Sequence, residues 1–210
     1  MQSIRHIWFD LAGTLTEQPA AFHQAHDHLR YQTYAQATGR VLTPSLEREF
    51  DAQYTQLGSN SAVFTALGLP SDYWMQASDK LDETDFYTAS SQPADTLKHL
   101  HKKLQISLFT NYRPNKISRL LQAINVNEDW FSHILSGDDV TERKPALAGF
   151  YRLIELSAES PEHILYVGDR VNVDIVPAKQ LGLRTALLGD ESVEADYCLK
   201  SIEDLLPLTS

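Results

Sequence analysis

The amino-acid sequence predicts an α/β fold: a Rossmann-like parallel sheet core with a helical cap domain inserted after the first strand. Three observations carry this expectation. Short apolar runs at residues 4–9, 106–110, 133–135, 164–167 and 185–188 have the length of buried strands. Helix-like stretches separate the later runs, and strands alternating with helices of about 10–15 residues build parallel sheets. The interval between the first run and the second is much longer and holds no convincing strand.

The first run, HIWF, stops abruptly at Asp10 within the stretch WFDLAGTLT. Behind it, residues 19–88 read as helices. AAFHQAHDHLRYQTYAQATG forms one ended by Gly39, and PSLEREFDAQYTQLG another ended by Gly58, because glycine accepts the left-handed conformation that closes a helix. SNSAVFTALG and SDYWMQASDKL form two shorter ones. A crossover of roughly 70 residues is far above the usual connection length, so this interval reads as an inserted domain. The expected boundaries are residues 1–15 and 89–210 for the core and 16–88 for the cap. In open α/β sheets the ligand sits outside the carboxyl ends of the strands, where an insertion would act as a lid. Further on, Pro93 opens a helix to about Leu104, Pro114 one to about Asn125, and Pro145 one to about Ala158. Proline suits a first helical turn, where its missing N–H has no intrahelical partner. Trp8, Trp74 and Trp130 are assigned to packing within core or cap.

Composition narrows the function classes. The 210 residues are 42% hydrophobic and 22% charged, an ordinary globular balance. A net charge of -10 argues against a general nucleic-acid binder, which needs clustered Lys and Arg. An acidic protein with an anionic substrate needs a local positive site, either a metal ion or placed cations. The single cysteine, Cys198, excludes an internal disulfide and a Cys-rich metal site. It fits a reducing compartment, and a cytoplasmic location is expected. MQSIRHIWF lacks the apolar core of a signal peptide, and no run approaches the ~18 apolar residues of a membrane span. Monomer and homodimer both remain open.

Chemistry-bearing residues stand just past the apolar runs: Asp10, Thr110 with Asn111, Lys144, and Asp169 with Asp174. Their order and spacing resemble the haloacid dehalogenase (HAD) superfamily of phosphotransferases and hydrolases. Its first motif, Asp-x-Asp-Gly-Thr, stands here as Asp10-Leu11-Ala12-Gly13-Thr14. The second, an apolar strand ending in Ser or Thr, is ISLFTN with Thr110. The third is Lys144 in RKP, and the fourth is VGDRVNVD with Asp169 and Asp174. Any one motif is weak; all four in order at strand ends are specific. The resemblance covers the whole chain, and the long insertion looks like that family's helical cap.

The resemblance implies a Mg²⁺-dependent hydrolase of a small phosphorylated metabolite. It assigns Asp10 as the nucleophile that forms an aspartyl-phosphate. Lys144 is a fixed cation suited to neutralise the transferring oxygens. Thr110, Asn111 and the backbone around Gly13 are candidate phosphate contacts. Mg²⁺ prefers oxygen ligands; the candidates are Asp10, the carbonyl of Ala12, Asp169, and Asp174 either as a ligand or as the group orienting water or Lys144.

Ala12 departs from the family pattern. The family's phosphatases carry an Asp there that protonates the leaving oxygen and then activates water. Ala12 keeps the backbone carbonyl offered to the metal but removes a proton-transfer group worth ~10²–10⁴ in rate. Several readings follow. A phosphatase could draw its proton from the cap, with His23, His26, His28 and Tyr31 as donors, or dispense with it for a good leaving group. A phosphonoacetaldehyde hydrolase, which also has Ala here, needs a cap Lys for a Schiff base, and between Thr16 and Ser91 only Lys80 is present. A dehalogenase also lacks the second Asp, and Asn111 leans that way, but the acid motif at Asp169 suits Mg²⁺ and phosphate better. A relative that binds without catalysis would not need Asp10, Lys144 and Asp169 intact.

Overall fold

The structure, a computed structural model, describes residues 3–16, 19–86 and 92–209. Its contacts divide the chain into two compact units, Met1–Glu17 with Tyr87–Ser210, and Gln18–Phe86. The expected cap end at residue 88 and core restart at residue 89 lie outside the described residues.

The first unit is built on one sheet of six parallel strands: β1 (His6–Phe9), β2 (Gln105–Phe109), β3 (Ile134–Leu135), β4 (Ile164–Gly168), β5 (Arg184–Leu188) and β6 (Tyr197–Leu199). Their spatial order is β3-β2-β1-β4-β5-β6. The chain leaves β1 in one direction through β2 and β3, then returns to place β4 on the other side of β1. That reversal makes a switch point at the carboxyl ends of β1 and β4, where open sheets take their ligands.

Both faces of the sheet are covered, and the period-2 alternation of a strand sorts its residues between them. Ile7, Phe9, Ile106, Leu108, Leu165 and Val167 join one buried cluster. Trp8, Phe109, Ile164 and Tyr166 join the other. This two-sided burial explains why these strands are nearly continuous apolar runs in the sequence.

Helices α5 (Gln92–Leu100), α6 (Pro114–Ala123), α7 (Ala148–Ser157) and α8 (Val176–Gln180) complete this unit. The helix expected from Pro145 starts later, at Ala148, because Pro145 lies in the turn that precedes it. The helix expected to reach Asn125 stops at Ala123, and Asn125 takes a left-handed φ of 58°. Strand β6 has no apolar run to announce it: its three residues YCL include the exposed Cys198.

The second unit is helical, with α1 (Ala20–Thr38), α2 (Pro44–Leu57), α3 (Asn60–Ala66) and α4 (Tyr73–Ser78). Gly39 and Gly58 close α1 and α2 with φ of 66° and 81°. Thr43 and Ser59 cap α2 and α3 by accepting from Leu46 N and Ala62 N. Tyr34, Leu46, Phe50, Val63, Phe64 and Trp74 form its buried core. Arg30 ties α1 to α2: it stacks over the rings of Tyr31, Phe50 and Tyr54 and pairs with Asp51. Among the described residues no helix is long and apolar enough to cross a membrane.

Candidate active site

Strand register brings the acids together. Phe9 is level with Val167 across β1 and β4, and Asp10 N donates to Val167 O at 2.9 Å. Asp10, one residue past β1, therefore stands beside the end of β4, where Gly168 and Asp169 follow. Two glycines permit the close approach. A Cβ added at Gly13 would overlap the carboxylate of Asp169, and one added at Gly168 would overlap Asp174. Gly13 also has a φ of 82°, which an L side chain rarely adopts. Asp174 arrives from a single π-helical turn, Val171–Ile175, a device that re-aims a side chain within a helix start.

Lys144, from the loop before α7, reaches into this cluster. Its Nζ donates to Asp10 Oδ1 at 2.8 Å, to Asp174 Oδ1 at 2.6 Å and to the Tyr166 hydroxyl at 2.8 Å. The side chains of Lys144, Asp10 and Asp174 are 0%, 2% and 0% exposed. Charges this deeply buried are tolerated only when paired and hydrogen-bonded, and here each one is. Asp174 Oδ2 in turn accepts from Arg170 N at 3.2 Å.

The pairing is incomplete in one direction. Asp10 Oδ2 and Asp169 Oδ1 are buried and have no hydrogen-bond partner among the described residues. One ligand atom from each of Asp10, Asp169 and Asp174 lies within 4.8 Å of the others. Hard carboxylate oxygens at this spacing suit a hard divalent cation, and the bare buried Asp169 Oδ1 is an oxygen that such a cation would satisfy. Burial raises the pKa of Asp169 from 3.8 to about 6, the charges of Asp10 and Asp174 add to it, and Arg170 opposes. Burial and Asp10 push Asp174 up as well, and Lys144 pulls it back. Arg170 is half exposed and holds its guanidinium 4.0 Å from Asp10, 3.9 Å from Asp169 and 3.8 Å from Asp174. Burial disfavours its charge, but the three carboxylates outweigh that and raise its pKa.

The other expected residues fall into place unequally. Thr110 is buried just past β2, and its Oγ1 accepts from Tyr112 N at 3.4 Å. Asn111 spends its carboxamide on the backbone of Lys144: Nδ2 donates to Lys144 O at 2.9 Å, and Oδ1 accepts from Lys144 N at 2.8 Å. Gly13 N donates to Thr16 O at 2.8 Å, closing the turn that holds Ala12. In the second unit, Tyr31 donates to Asp51 at 2.9 Å, His28 pairs with Gln32 at 2.8 Å, and His26 meets Trp74 edge-on. His23 and Lys80 are exposed. Sequence reasoning missed Tyr166 and Arg170. A tyrosine in an otherwise aliphatic strand buried on both faces, ILYVG, was the available signal for the first.

The profile of the haloacid dehalogenase-like hydrolases matches residues 4–182. A phosphoglycolate phosphatase of Photorhabdus laumondii is 30% identical over 194 residues, covering 87% of this chain and 79% of that protein. The pyrophosphatase PpaX of Oceanobacillus iheyensis is 25% identical over 233 aligned positions, covering 98% of this chain and 97% of its own length. Among solved structures, a HAD phosphatase from Thermococcus onnurineus superposes with a TM-score of 0.73 at 17% identity, covering 98% and 97% of the two chains. The L-2-haloacid dehalogenase of Xanthobacter autotrophicus does so with a TM-score of 0.60 at 17% identity, covering 98% of each. The chain belongs to the haloacid dehalogenase-like hydrolases.

Proposed function

We propose that this chain is a Mg²⁺-dependent phosphatase of a small phosphorylated metabolite, working through an aspartyl-phosphate on Asp10. One observation carries the reading. Asp10 has one oxygen held by Lys144 and the other bare, beside a second bare oxygen on Asp169. A carboxylate fixed by one oxygen presents the other as a nucleophile. The relatives named as phosphatases, which align over most of the chain, support phosphate esters or anhydrides as the substrate class.

In the first step Asp10 Oδ2 attacks phosphorus, an acyl-phosphate bond forms, and the bond from phosphorus to the leaving oxygen breaks. In the second, water attacks the same phosphorus, releasing inorganic phosphate and restoring the Asp10 carboxylate. Lys144 holds Asp10 in place and supplies positive charge next to the transferring group. Mg²⁺ would be held by Asp10, Asp169 and the Ala12 carbonyl, and when bound it supplies the positive charge that phosphoryl transfer needs. Asp174, whose two oxygens are engaged by Lys144 and Arg170 N, orients Lys144 in this reading. Asn111 acts through the Lys144 backbone rather than on phosphate directly.

The test is release of inorganic phosphate from aryl, acyl and sugar phosphates, with Mg²⁺ and with excess chelator, for wild type and Asp10→Asn. The expected result is Mg²⁺-dependent release that the Asn variant lacks while remaining folded. Turnover by Asp10→Asn at the wild-type rate would remove Asp10 as nucleophile. Turnover in excess chelator, with halide released from haloacids, would move the protein to the dehalogenases. Lys80 is exposed and is the one lysine between Thr16 and Ser91, which makes a Schiff base a poor alternative.

A further inference from the structure

The Lys144 ammonium has three N–H bonds, and three buried acceptors meet them. Asp10 and Asp174 are two of these. The third is the hydroxyl of Tyr166, at 2.8 Å. Since that hydroxyl accepts from Lys144, its own proton must go elsewhere; Phe109 O at 3.2 Å and Asp174 Oδ1 at 3.4 Å are within reach. The Tyr166 ring packs on Phe150 and Phe109 at centroid separations of 5.1 and 6.4 Å. Packing of the ring alone therefore needs no hydroxyl.

A lysine ammonium is a point charge on a flexible stem with three rotatable donors. Asn111 fixes the backbone end of this stem by bonding both Lys144 N and Lys144 O. At the other end, the two carboxylates take only two of the three donors. A third donor left bare in a buried site is costly. It would be free to rotate towards a bare acceptor of the cluster, and Asp10 Oδ2, on the carboxylate that Lys144 already holds, is one. That oxygen is the one the proposed reaction uses.

We infer that Tyr166 is a positioning residue of this site: its hydroxyl takes the third N–H of Lys144, holding the ammonium on Asp10 Oδ1 and leaving Oδ2 bare for attack. The kinetic half of this inference rests on Asp10 being the nucleophile. The structural half, an ammonium shared by three acceptors, does not.

Tyr166→Phe separates the two halves, because it keeps the ring and its packing. The first readout is the ¹⁵N-edited spectrum of the lysine ammonium groups. Wild type should show one slowly exchanging ammonium, identified by its Overhauser contacts to the rings of Phe109 and Tyr166, which lie 5.3 and 5.4 Å from Lys144 Nζ. Tyr166→Phe should lose that protection. The second readout is hydrolysis of p-nitrophenyl phosphate with Mg²⁺, where kcat should fall about tenfold or more with KM within about twofold, the lower end of the loss expected for one hydrogen bond from a charged donor. Absence of the protected ammonium in wild type overturns the inference without any variant. So does a Tyr166→Phe protein that melts earlier but keeps both the resonance and kcat, since that is the pattern of a purely structural hydroxyl. If wild type turns over no phosphate compound, the phosphatase reading fails while the ammonium spectrum still decides the placement of Tyr166.

Discussion

The carboxylate of Asp169 lies directly against the α-carbon of Gly13, so that any side chain at position 13 would occupy its place. Gly13 is thus fixed twice, by its left-handed backbone and by the acid pressed on it. Gly13→Ala should cost about 1–2 kcal/mol in backbone conformation alone. The larger effect should be on Asp169, which must move. Metal affinity should fall at least tenfold in a protein that still unfolds cooperatively. Isothermal titration with Mg²⁺ or Mn²⁺ beside a urea unfolding curve checks both. Unchanged metal affinity would mean that Asp169 is not part of the cation site.

Arg170 stands about 4 Å from each of the three acids but makes no close ion pair with any. It acts as a resident positive charge on a cluster suited to a cation. A unit charge and a divalent cation at about 4 Å in a water-exposed setting repel by roughly 2 kcal/mol, which is about thirtyfold in affinity. Arg170→Gln should therefore bind Mn²⁺ about thirtyfold more tightly at low salt, and the difference should shrink at high salt. Electron paramagnetic titration of free Mn²⁺ measures it. Weaker binding in the variant would show that Arg170 supports the site rather than competing for it.

His6 offers a test of stability away from the site. It is fully buried at the start of β1, hydrogen-bonded to Ser107, stacked on Trp8 and near His133. Burial, aided by His133, lowers its pKa from 6.5 to about 4. The neutral form is the one the fold accepts. Above the unfolded value of 6.5 both states are neutral and stability is complete. As pH falls from there towards about 4, the unfolded chain binds a proton that the folded chain refuses, so stability declines. His6→Gln should remove this decline. The expected result is a difference in urea unfolding free energy between wild type and variant that favours wild type less and less as pH drops through that window. A difference independent of pH would contradict it.

Asp10 and Asp169 were legible because each stands where an apolar strand stops, a boundary that sequence shows plainly, whereas Lys144 and Asp174 lie in a loop and a π-helical turn and were legible only through the order of the motifs. Asp10, Lys144, Asp169 and Asp174 do meet. Roles carried by geometry were not legible. Asn111 reads as a phosphate contact from its place after Thr110, yet its amide is bonded to the backbone of a residue 33 positions away. Tyr166 reads as strand packing, because only the fold brings Lys144 to its hydroxyl. Helix starts were misjudged where proline serves a turn, as at Pro145. Strand β6 was lost because a three-residue edge strand needs no apolar run.

Ala12 leaves the leaving oxygen without a carboxyl group to protonate it, and this should define the substrates. If no other group supplies the proton, the leaving group must carry its own negative charge away. Rates should then rise steeply as leaving-group pKa falls. Aryl and acyl phosphates should react far better than sugar phosphates, whose alkoxides are poor leaving groups. Ala12→Asp should restore an acid at the family's usual position and raise turnover of alkyl phosphates by about 10²-fold, the lower end of what general acid catalysis supplies. It should change aryl phosphates much less, because they need no proton. The measurement is kcat/KM over a series of esters for both proteins. A flat dependence in wild type would mean that another residue already donates, and His23 and His26 would be the first to replace. A flat dependence with no gain in Ala12→Asp would show that position 12 does not set the chemistry, since the added acid would then be doing nothing that the site lacked.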